Sequence, residues 1–535
     1  MRRLAHTLSK LFRRLVMERI ISQKIKRTTG KDVWRENLRL AIFAADKVRS
    51  TLGPKGAYKL VAYNRGPEQV VKVTKDAIAI LDELAIQYPP AVIVSEAAKL
   101  QREETGDGVT GFVVFLSALL KKADELLTMG IHANTIIHGY HLATEKALEI
   151  LERQAATSNS QNNDILDIVD CQRNILTPHI RSMIRQAYPL TFSDGRFERE
   201  NIRFLKKKGG NLQDSSLING VVIKKEKAHP NMPETLRNLR IAISSGRLGI
   251  NHLEIKMSGQ GPAHIHLDIK TPQQIQEYRE TEYRLKAQPI EKLTQLNVNV
   301  LLCEQPLDAL QKEKLFAKGI FALESVDKKD TQAISKATGA KIVGNLSELS
   351  EEDIGFAEEL SIGKIELEKT VTIEGCKGAT FMLRGTNPQT MDELETAIKN
   401  SFVLLKLAGD DGRVLPGGGA VEAQIAQELK SYAREFASRE QIIIDAYAGA
   451  LMDVPRCLAE NYGLNPTDTI LELKNRHADG FSNFGVNEQS CCDMVCQEPL
   501  KVKRSAIRRA YEVSTLMLRI DELLISKEIP KFHKQ

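Results

Sequence analysis

The chain has 535 residues, of which 42% are hydrophobic and 27% charged, room for roughly two to four domains. No run of eighteen apolar residues occurs, so no membrane span is expected, and seven scattered cysteines suit a reducing, cytoplasmic setting better than a disulfide framework. The net charge of +6 does not mark a nucleic-acid binder, because residues 1–31 hold ten Lys/Arg and one acid, which leaves the body of the chain slightly acidic.

The basic tail, residues 1–25, spaces Leu4, Leu8, Leu11, Phe12, Leu15 and Ile20 at helical intervals among arginines. Such a helix suits an anionic membrane surface or a transit peptide. Alternatively Met17 is the start and the preceding residues are passive. The passive reading is preferred, and no membrane contact is expected.

A helix is expected over Asp32–Ser50, broken by Thr51-Leu52-Gly53-Pro54-Lys55-Gly56. Gly53 and Gly56 would let backbone approach a phosphate, with Lys55 to neutralise it; a plain turn explains the same residues. Short strands follow at Leu60–Tyr63 and Val70–Thr74. Helices are then expected at Asp76–Tyr88, closed by Pro89-Pro90, and at Ala91–Glu104, Gly111–Met129 and Ile136–Arg153.

Among these stands Gly106-Asp107-Gly108-Val109-Thr110-Gly111. Glycines permit backbone N–H groups to converge on an anion, and the helix that follows favours one at its N-terminus. Asp107 could hold the Mg²⁺ that accompanies a nucleotide's phosphates. A ligand-free capping turn also fits. So does the dinucleotide fingerprint G-x-G-x-x-G, though it lacks the strand that should precede it.

Ala155–Asn163 reads as a Ser/Asn/Gln-rich linker, Asp164–Tyr188 as helical, and Arg203–Gly210 as a basic stretch ending in a Gly209-Gly210 hinge. From Gly220 the period changes. Strands are expected at Val221–Ile223, Ile241–Ile243, Ile265–Ile269, Val298–Leu302, Phe321–Leu323 and Ile342–Val343, separated by helices, which argues an α/β insert. Thr271-Pro272-Gln273-Gln274 caps a charged helix to about Lys286 with a thin apolar stripe, either projecting or lying solvated on the surface.

Strands return at Lys369–Ile373 and Thr380–Leu383, then a helix at Met391–Leu407. Gly409–Ala420, with the run Pro416-Gly417-Gly418-Gly419, reads as a second backbone-lined anion site. Helices are expected at Ala420–Phe436, Ser438–Asn461, Pro466–Ala478 and Lys503–Leu524. Cys491, Cys492, Cys496 and upstream His477 match no standard zinc spacing, so buried thiols are preferred to a metal site. Helical first and last thirds enclosing an α/β insert imply that both ends fold into one domain.

Several stretches then match a family in order: Leu52-Gly53-Pro54-Lys55-Gly56, Gly106-Asp107-Gly108, His229-Pro230-Asn231-Met232-Pro233, Ala337-Thr338-Gly339-Ala340-Lys341-Ile342-Val343, Leu383-Arg384-Gly385, Pro416–Glu422, Leu458-Ala459-Glu460-Asn461 and Leu518–Glu522. Together they resemble group II chaperonin subunits, of the archaeal thermosome and eukaryotic cytosolic type, from about residue 26 to 527. The resemblance implies a multidomain α + α/β fold. Both chain ends (26–146 and 404–527) would build a helical equatorial domain. A small intermediate domain would come from 147–215 and 367–403, and an apical α/β domain with a helical protrusion from 216–366, leaving 528–535 as a tail. It implies ATP and Mg²⁺ as cofactors, held by Leu52, Gly53, Pro54, Gly106–Gly111 (Gly106, Asp107, Gly108, Val109, Thr110, Gly111), Gly417, Gly418, Gly419 and Glu498, with Asp107 on the metal. It implies non-native protein clients and a homo- or hetero-oligomeric double ring, and no nucleic acid.

The departures from the family pattern fall on hydrolysis. Tyr58 stands where an aspartate is usual, Lys75-Asp76-Ala77 replaces Asn-Asp-Gly, Ala79 replaces a threonine, and Val109 replaces the first threonine after Gly-Asp-Gly. Asn400 aligns with the aspartate that helps activate water, and His179 with a lysine that senses the γ-phosphate; residues 485–494 run about two residues short. An amide orients water but cannot usefully accept its proton. The expectation is a divergent subunit that binds Mg-ATP, with hydrolysis impaired at Asn400, Asp76 and Tyr58. Two alternatives stand beside it: a working ATPase using Asp76 and Asp107 with Asn400 orienting water, and a chaperonin-like scaffold outside the folding cycle.

Overall fold

The computed structural model describes residues 25–29, 31–65, 68–85, 89–157, 166, 168–169, 176–193, 196–197, 201–248, 272–365, 368–494, 496–520 and 522–526. Residues 1–24 of the basic tail, most of the 155–163 linker, the strand expected at Ile265–Ile269 and residues 528–535 lie outside them. The chain forms two compact units: one from residues up to 175 together with those from Ala397 onward, the other Leu176–Thr396.

The first unit is helical. The helix Lys31–Arg49 buries Leu38, Ala41, Ala45 and Val48, a spacing that puts them on one face. The helix Val109–Thr128 is apolar all round in its first half: Phe112 to Leu120 is buried without a break, with Lys31–Arg49, Arg439–Leu451 and Leu500–Leu518 packed around the helix. Two buried tyrosines keep their hydroxyls satisfied there. Tyr140 Oη donates to the Leu119 carbonyl at 2.8 Å, and Thr144 Oγ1 donates to Tyr447 Oη at 3.0 Å.

The ends of the chain meet in this unit. Ile25–Thr29 pairs antiparallel with Glu522–Ser526, Ile25 opposite Ser526. A second ladder joins Arg413–Pro416 to Ala156–Thr157 on one side and to Gln497–Pro499 on the other.

The second unit carries a mixed sheet. Thr235–Ser244 is flanked by Val300–Cys303, parallel, and Gly355–Ile365, antiparallel; Phe321–Leu323 extends one side, and Glu368–Glu374 then Gly220–Ile223 the other. Ile241, Ala242 and Ile243 are all fully buried, as befits a strand covered on both faces. A smaller sheet orders Ile202–Lys208, Ala379–Gly385 and Ser216–Ile218.

Several expectations are corrected. The helix expected from Ala91 begins at Pro89, consistent with proline's suitability for a first turn. The basic stretch before Gly209-Gly210 is a strand, Ile202–Lys208, that pairs in parallel with Ala379–Gly385. Gly355–Ile365, not expected at all, is the longest strand of its sheet. Gly409-Asp410-Asp411 lies inside the helix Pro388–Asp411, so the second glycine turn begins only at Pro416. Ser438–Asn461 is two helices, Arg439–Leu451 and Asp453–Tyr462. The last helix stops at Leu518, and residues 522–526 form the terminal strand. The charged helix runs from Pro272 through Pro289 to Gln295, and its last turns are core: Ile290 and Leu293 are buried.

Candidate functional site

Three glycine turns of the first unit converge, each at the end of a buried helix or strand. After Lys31–Arg49 the backbone turns through Thr51–Gly56 with Gly53 at φ +82°. A Cβ on Gly53 would lie 2.7 Å from Leu458, so the position is both left-handed and crowded. The turn is tied to the Asp453–Tyr462 helix: Asn461 Nδ2 donates to the Leu52 carbonyl at 2.8 Å, and Arg49 pairs with Asp453 and Glu460 at 3.4 and 3.1 Å. The Pro54 carbonyl accepts from Lys75 Nζ at 2.8 Å, and burial holds that ammonium below its usual pKa. Lys55 reaches Glu488 at 3.1 Å in a half-exposed pair. Tyr58 is 55% exposed, its ring turned outward rather than into the core.

The second turn caps Val109–Thr128. Gly106 and Gly108 take φ +71° and +76°, and Gly108 is the N-cap. Asp107 is exposed; its Oδ1 accepts the Gly108 N–H at 2.7 Å, and its carbonyl accepts from Thr105 Oγ1 at 2.8 Å. Val109 is buried, while Thr110 and Gly111 are half-buried. A Cβ on Gly106 would stand 2.8 Å from the Asn400 carbonyl, and one on Gly108 2.6 Å from Val502. Asn400 and the last helix therefore back directly onto the Asp107 turn.

The third turn is Pro416–Gly419, with Gly418 and Gly419 at φ +64° and +78°. Gly417 N–H donates to the Cys496 carbonyl at 2.8 Å, and Leu415 pairs in register with Glu498. Cβ atoms on Gly418 and Gly419 would press to 2.7 Å from Met494 and 2.8 Å from Pro455. Glu498 Oε1 lies 3.2 Å from the Cβ position of Gly417, so this carboxylate lines the turn.

Behind the turns sits a charge cluster that sequence reading missed. Lys503 Nζ contacts Glu422 Oε1 at 2.7 Å and Glu498 Oε2 at 3.2 Å, with the Lys503 and Glu422 side chains only 13% and 9% exposed. Glu422 Oε2 is buried with no hydrogen-bond partner. Burial first, then repulsion from Glu422 and Asp107, raises the Glu498 pKa above its usual value, against the pull of Lys503. Glu498 against Gly417 and Val502 against Gly108 place the second and third turns on the same stretch of chain. Lys503 sits in a Lys-rich run that reads as solvated, so no local pattern signalled it.

Asp76 joins the first turn to the second. Its Oδ1 accepts the Ile78 N–H at 3.1 Å, and Arg102, one turn before Gly106, pairs with both of its oxygens, Nη1 to Oδ2 at 3.0 Å and Nη2 to Oδ1. His179 lies in the other unit, with Nε2 2.8 Å from the Ser215 carbonyl. The Cys491 thiol is buried and pushed up to about 11 by desolvation, while His477 bonds Gln424 and the Phe484 carbonyl. Among the described residues no group of three or more His, Cys, Asp or Glu is placed to hold a metal by itself.

Comparison with known proteins gives these turns a context. The family model of the TCP-1/cpn60 chaperonins matches residues 44–528. The chain is 35% identical over 530 residues to a thermosome subunit of Methanopyrus kandleri, covering 96% of this chain and 95% of that one. It is 35% identical, at the same coverage, to thermosome subunit alpha of Archaeoglobus fulgidus. Against thermosome subunit beta of Methanothermobacter thermautotrophicus it is 34% identical over 516 residues, covering 94% of each. The chain belongs to the TCP-1/cpn60 chaperonin family and is a group II member of it. Among the described residues no helix is long and apolar enough to cross a membrane.

Proposed function

We propose that the chain is a chaperonin subunit that binds Mg-ATP and non-native protein in an oligomeric double ring, with hydrolysis impaired. In this reading residues 26–146 and 404–527 make the equatorial, nucleotide-binding domain. Residues 147–215 and 367–403 make the intermediate domain, and 216–366 the client-facing apical domain, with the Pro272–Gln295 helix in its protrusion.

The residues present suit a magnesium nucleotide. Left-handed glycines at 53, 106, 108, 418 and 419 bare the backbone of three turns, and the Val109–Thr128 helix offers its N-terminus beside the exposed Asp107 carboxylate. Leu52, Gly53, Pro54, Thr110 and Gly417 to Gly419 would surround the nucleotide, Glu498 would face its sugar, and Asp107 would take the Mg²⁺. The metal would neutralise the phosphates. The observation that carries the reading is that residues 498–502 touch both later turns: Glu498 Oε1 lies 3.2 Å from the Cβ position of Gly417, and Val502 2.6 Å from that of Gly108.

Impairment is argued from what the site lacks. Asn400, whose backbone carbonyl abuts Gly106, carries an amide, which can orient water but not accept its proton. Asp76, the carboxylate that a working ATPase would call on, is already held by Arg102. Tyr58 brings a phenol in place of a carboxylate.

The assembly is tested by sedimentation of the full chain, alone and mixed with a competent group II subunit, with and without Mg-ATP. A particle of very high mass, whose protease sensitivity at 272–295 changes with nucleotide, is expected. A monomer indifferent to nucleotide in both settings would favour the scaffold and sink the proposal.

A further inference from the structure

Glu422, Lys503 and Glu498 make a chain of contacts that ends at the third turn. Glu422 lies in the first turn of the helix Ala420–Ala433, which Gly419 caps, and its Oε1 is 2.7 Å from Lys503 Nζ. Lys503 Nζ is 3.2 Å from Glu498 Oε2. Glu498 Oε1, the other oxygen of the same carboxylate, is 3.2 Å from the Cβ position of Gly417. The two oxygens of Glu498 are thus divided: one goes to the ammonium, the other to the glycine turn.

The anchor is built in from several sides. Lys503 and Glu422 are 13% and 9% exposed, whereas Glu498, at 31%, is the accessible member of the three. Val502, next to Lys503, stands 2.6 Å from the Cβ position of Gly108, and its carbonyl accepts from Gln101 Nε2 at 3.2 Å. The start of the last helix is therefore fixed against the second turn. Burial raises the Glu498 pKa, and Lys503 pulls it back toward the ionised form. An ionised carboxylate only accepts hydrogen bonds. It repels a phosphate and recognises a hydroxyl, and in a nucleotide the hydroxyls belong to the sugar.

We propose that Lys503 is a positioning residue: it anchors Glu498 by one carboxylate oxygen and so presents the other to the sugar hydroxyls of a nucleotide at the third turn, which gives the site a preference for ribose over deoxyribose. The proposal rests on the nucleotide reading above. Lys503 touches no ligand in it and acts only through Glu498, while Glu422 holds the ammonium from the far side. Without Lys503 the Glu498 carboxyl loses its fixed point and is more readily protonated, and a neutral carboxyl is a poorer acceptor for a hydroxyl.

The test is calorimetric titration of the full chain with Mg-ADP and with the Mg complex of dideoxy-ADP, which lacks both sugar hydroxyls; neither needs hydrolysis. The wild type is expected to bind ADP about tenfold or more tighter than dideoxy-ADP. Lys503→Met and Glu498→Ala should each bring that ratio to within about threefold of one, with the affinity for dideoxy-ADP itself little changed. Adding Lys503→Met to Glu498→Ala should lower the ratio no further, because the lysine works through the glutamate. Lys503→Met/Glu422→Gln conserves the net charge of the cluster but removes the anchor, and it too should lose the preference. If Lys503→Met alone does not fold, this charge-conserving pair decides. A folded variant of either kind that keeps the wild-type ratio would overturn the proposal. So would an equal loss of affinity for both nucleotides, which is what a merely structural ion pair gives. If ADP and dideoxy-ADP bind the wild type alike, the sugar assignment is lost and the nucleotide reading stands; if neither binds, both fall.

Discussion

Lys503→Met is expected to destabilise the first unit by about 3–5 kcal/mol, the usual cost of stripping one partner from a buried ion pair. The methionine fills the space of the lysine stem but leaves Glu422 and Glu498 facing each other without the ammonium that now lies 2.7 and 3.2 Å away. Glu422 already carries one buried oxygen with no partner, so it has no reserve of hydrogen bonds to fall back on. The loss should depend on pH in a definite direction. Burial and Glu422 hold the Glu498 pKa above its unfolded value even with Lys503 present, and removing Lys503 raises it further. A carboxyl with a raised folded pKa binds its proton more readily folded than unfolded, so stability falls as pH rises through that pKa. The deficit of Lys503→Met is therefore expected to be larger at pH 8 than at pH 5. Adding Glu422→Gln should recover part of it at pH 8. Urea denaturation of the first transition at the two pH values measures this, and an equal, small loss at both would show the cluster to be solvated.

Asn400→Asp is expected to raise phosphate release from Mg-ATP by about 10²-fold, the lower end of what one positioned base contributes. The reason is local. The backbone carbonyl of residue 400 lies 2.8 Å from the Cβ position of Gly106, so the substitution falls next to the Asp107 turn. The gain is set at the lower end because Tyr58 and the Arg102-held Asp76 remain as they are. Asn400→Ala should not raise the rate, and nucleotide affinity should change little in either variant. A wild-type rate that Asn400→Asp leaves unchanged would remove the case for an impaired site.

Much of the cradle was legible in the sequence because its parts are turns. Gly53, Gly106, Gly108, Gly418 and Gly419 occupy left-handed backbone, which only glycine adopts without strain, and each sits at the boundary of an apolar run. Short, wholly apolar strands, such as Phe321–Leu323 and Ile342–Val343, were equally plain. What stayed hidden depends on partners far along the chain. Ile202–Lys208 is half lysine and arginine and reads as a basic stretch; it becomes a strand through its pairing with Ala379–Gly385. Gly355–Ile365 is interrupted by Glu358 and Glu359, and its character comes from Thr235–Ser244 beside it. Residues 522–526 looked like the end of a helix until Ile25–Thr29 was there to receive them. Lys503 and Arg102 were invisible for the same reason: a cation's partner is set by the fold, and one burying its charge against two glutamates resembles a solvated one in sequence.

Segments some 300 residues apart belong to one compact unit, and the proposed function makes of them a nucleotide cradle that keeps ATP without readily cutting it. The direct measurement is to incubate the full chain with Mg-ATP, separate it rapidly from free nucleotide, and identify what remains bound. Close to one nucleotide per chain is predicted, still ATP after an interval in which Asn400→Asp has converted its own to ADP. No retained nucleotide, or ADP on wild type and variant alike, would contradict it.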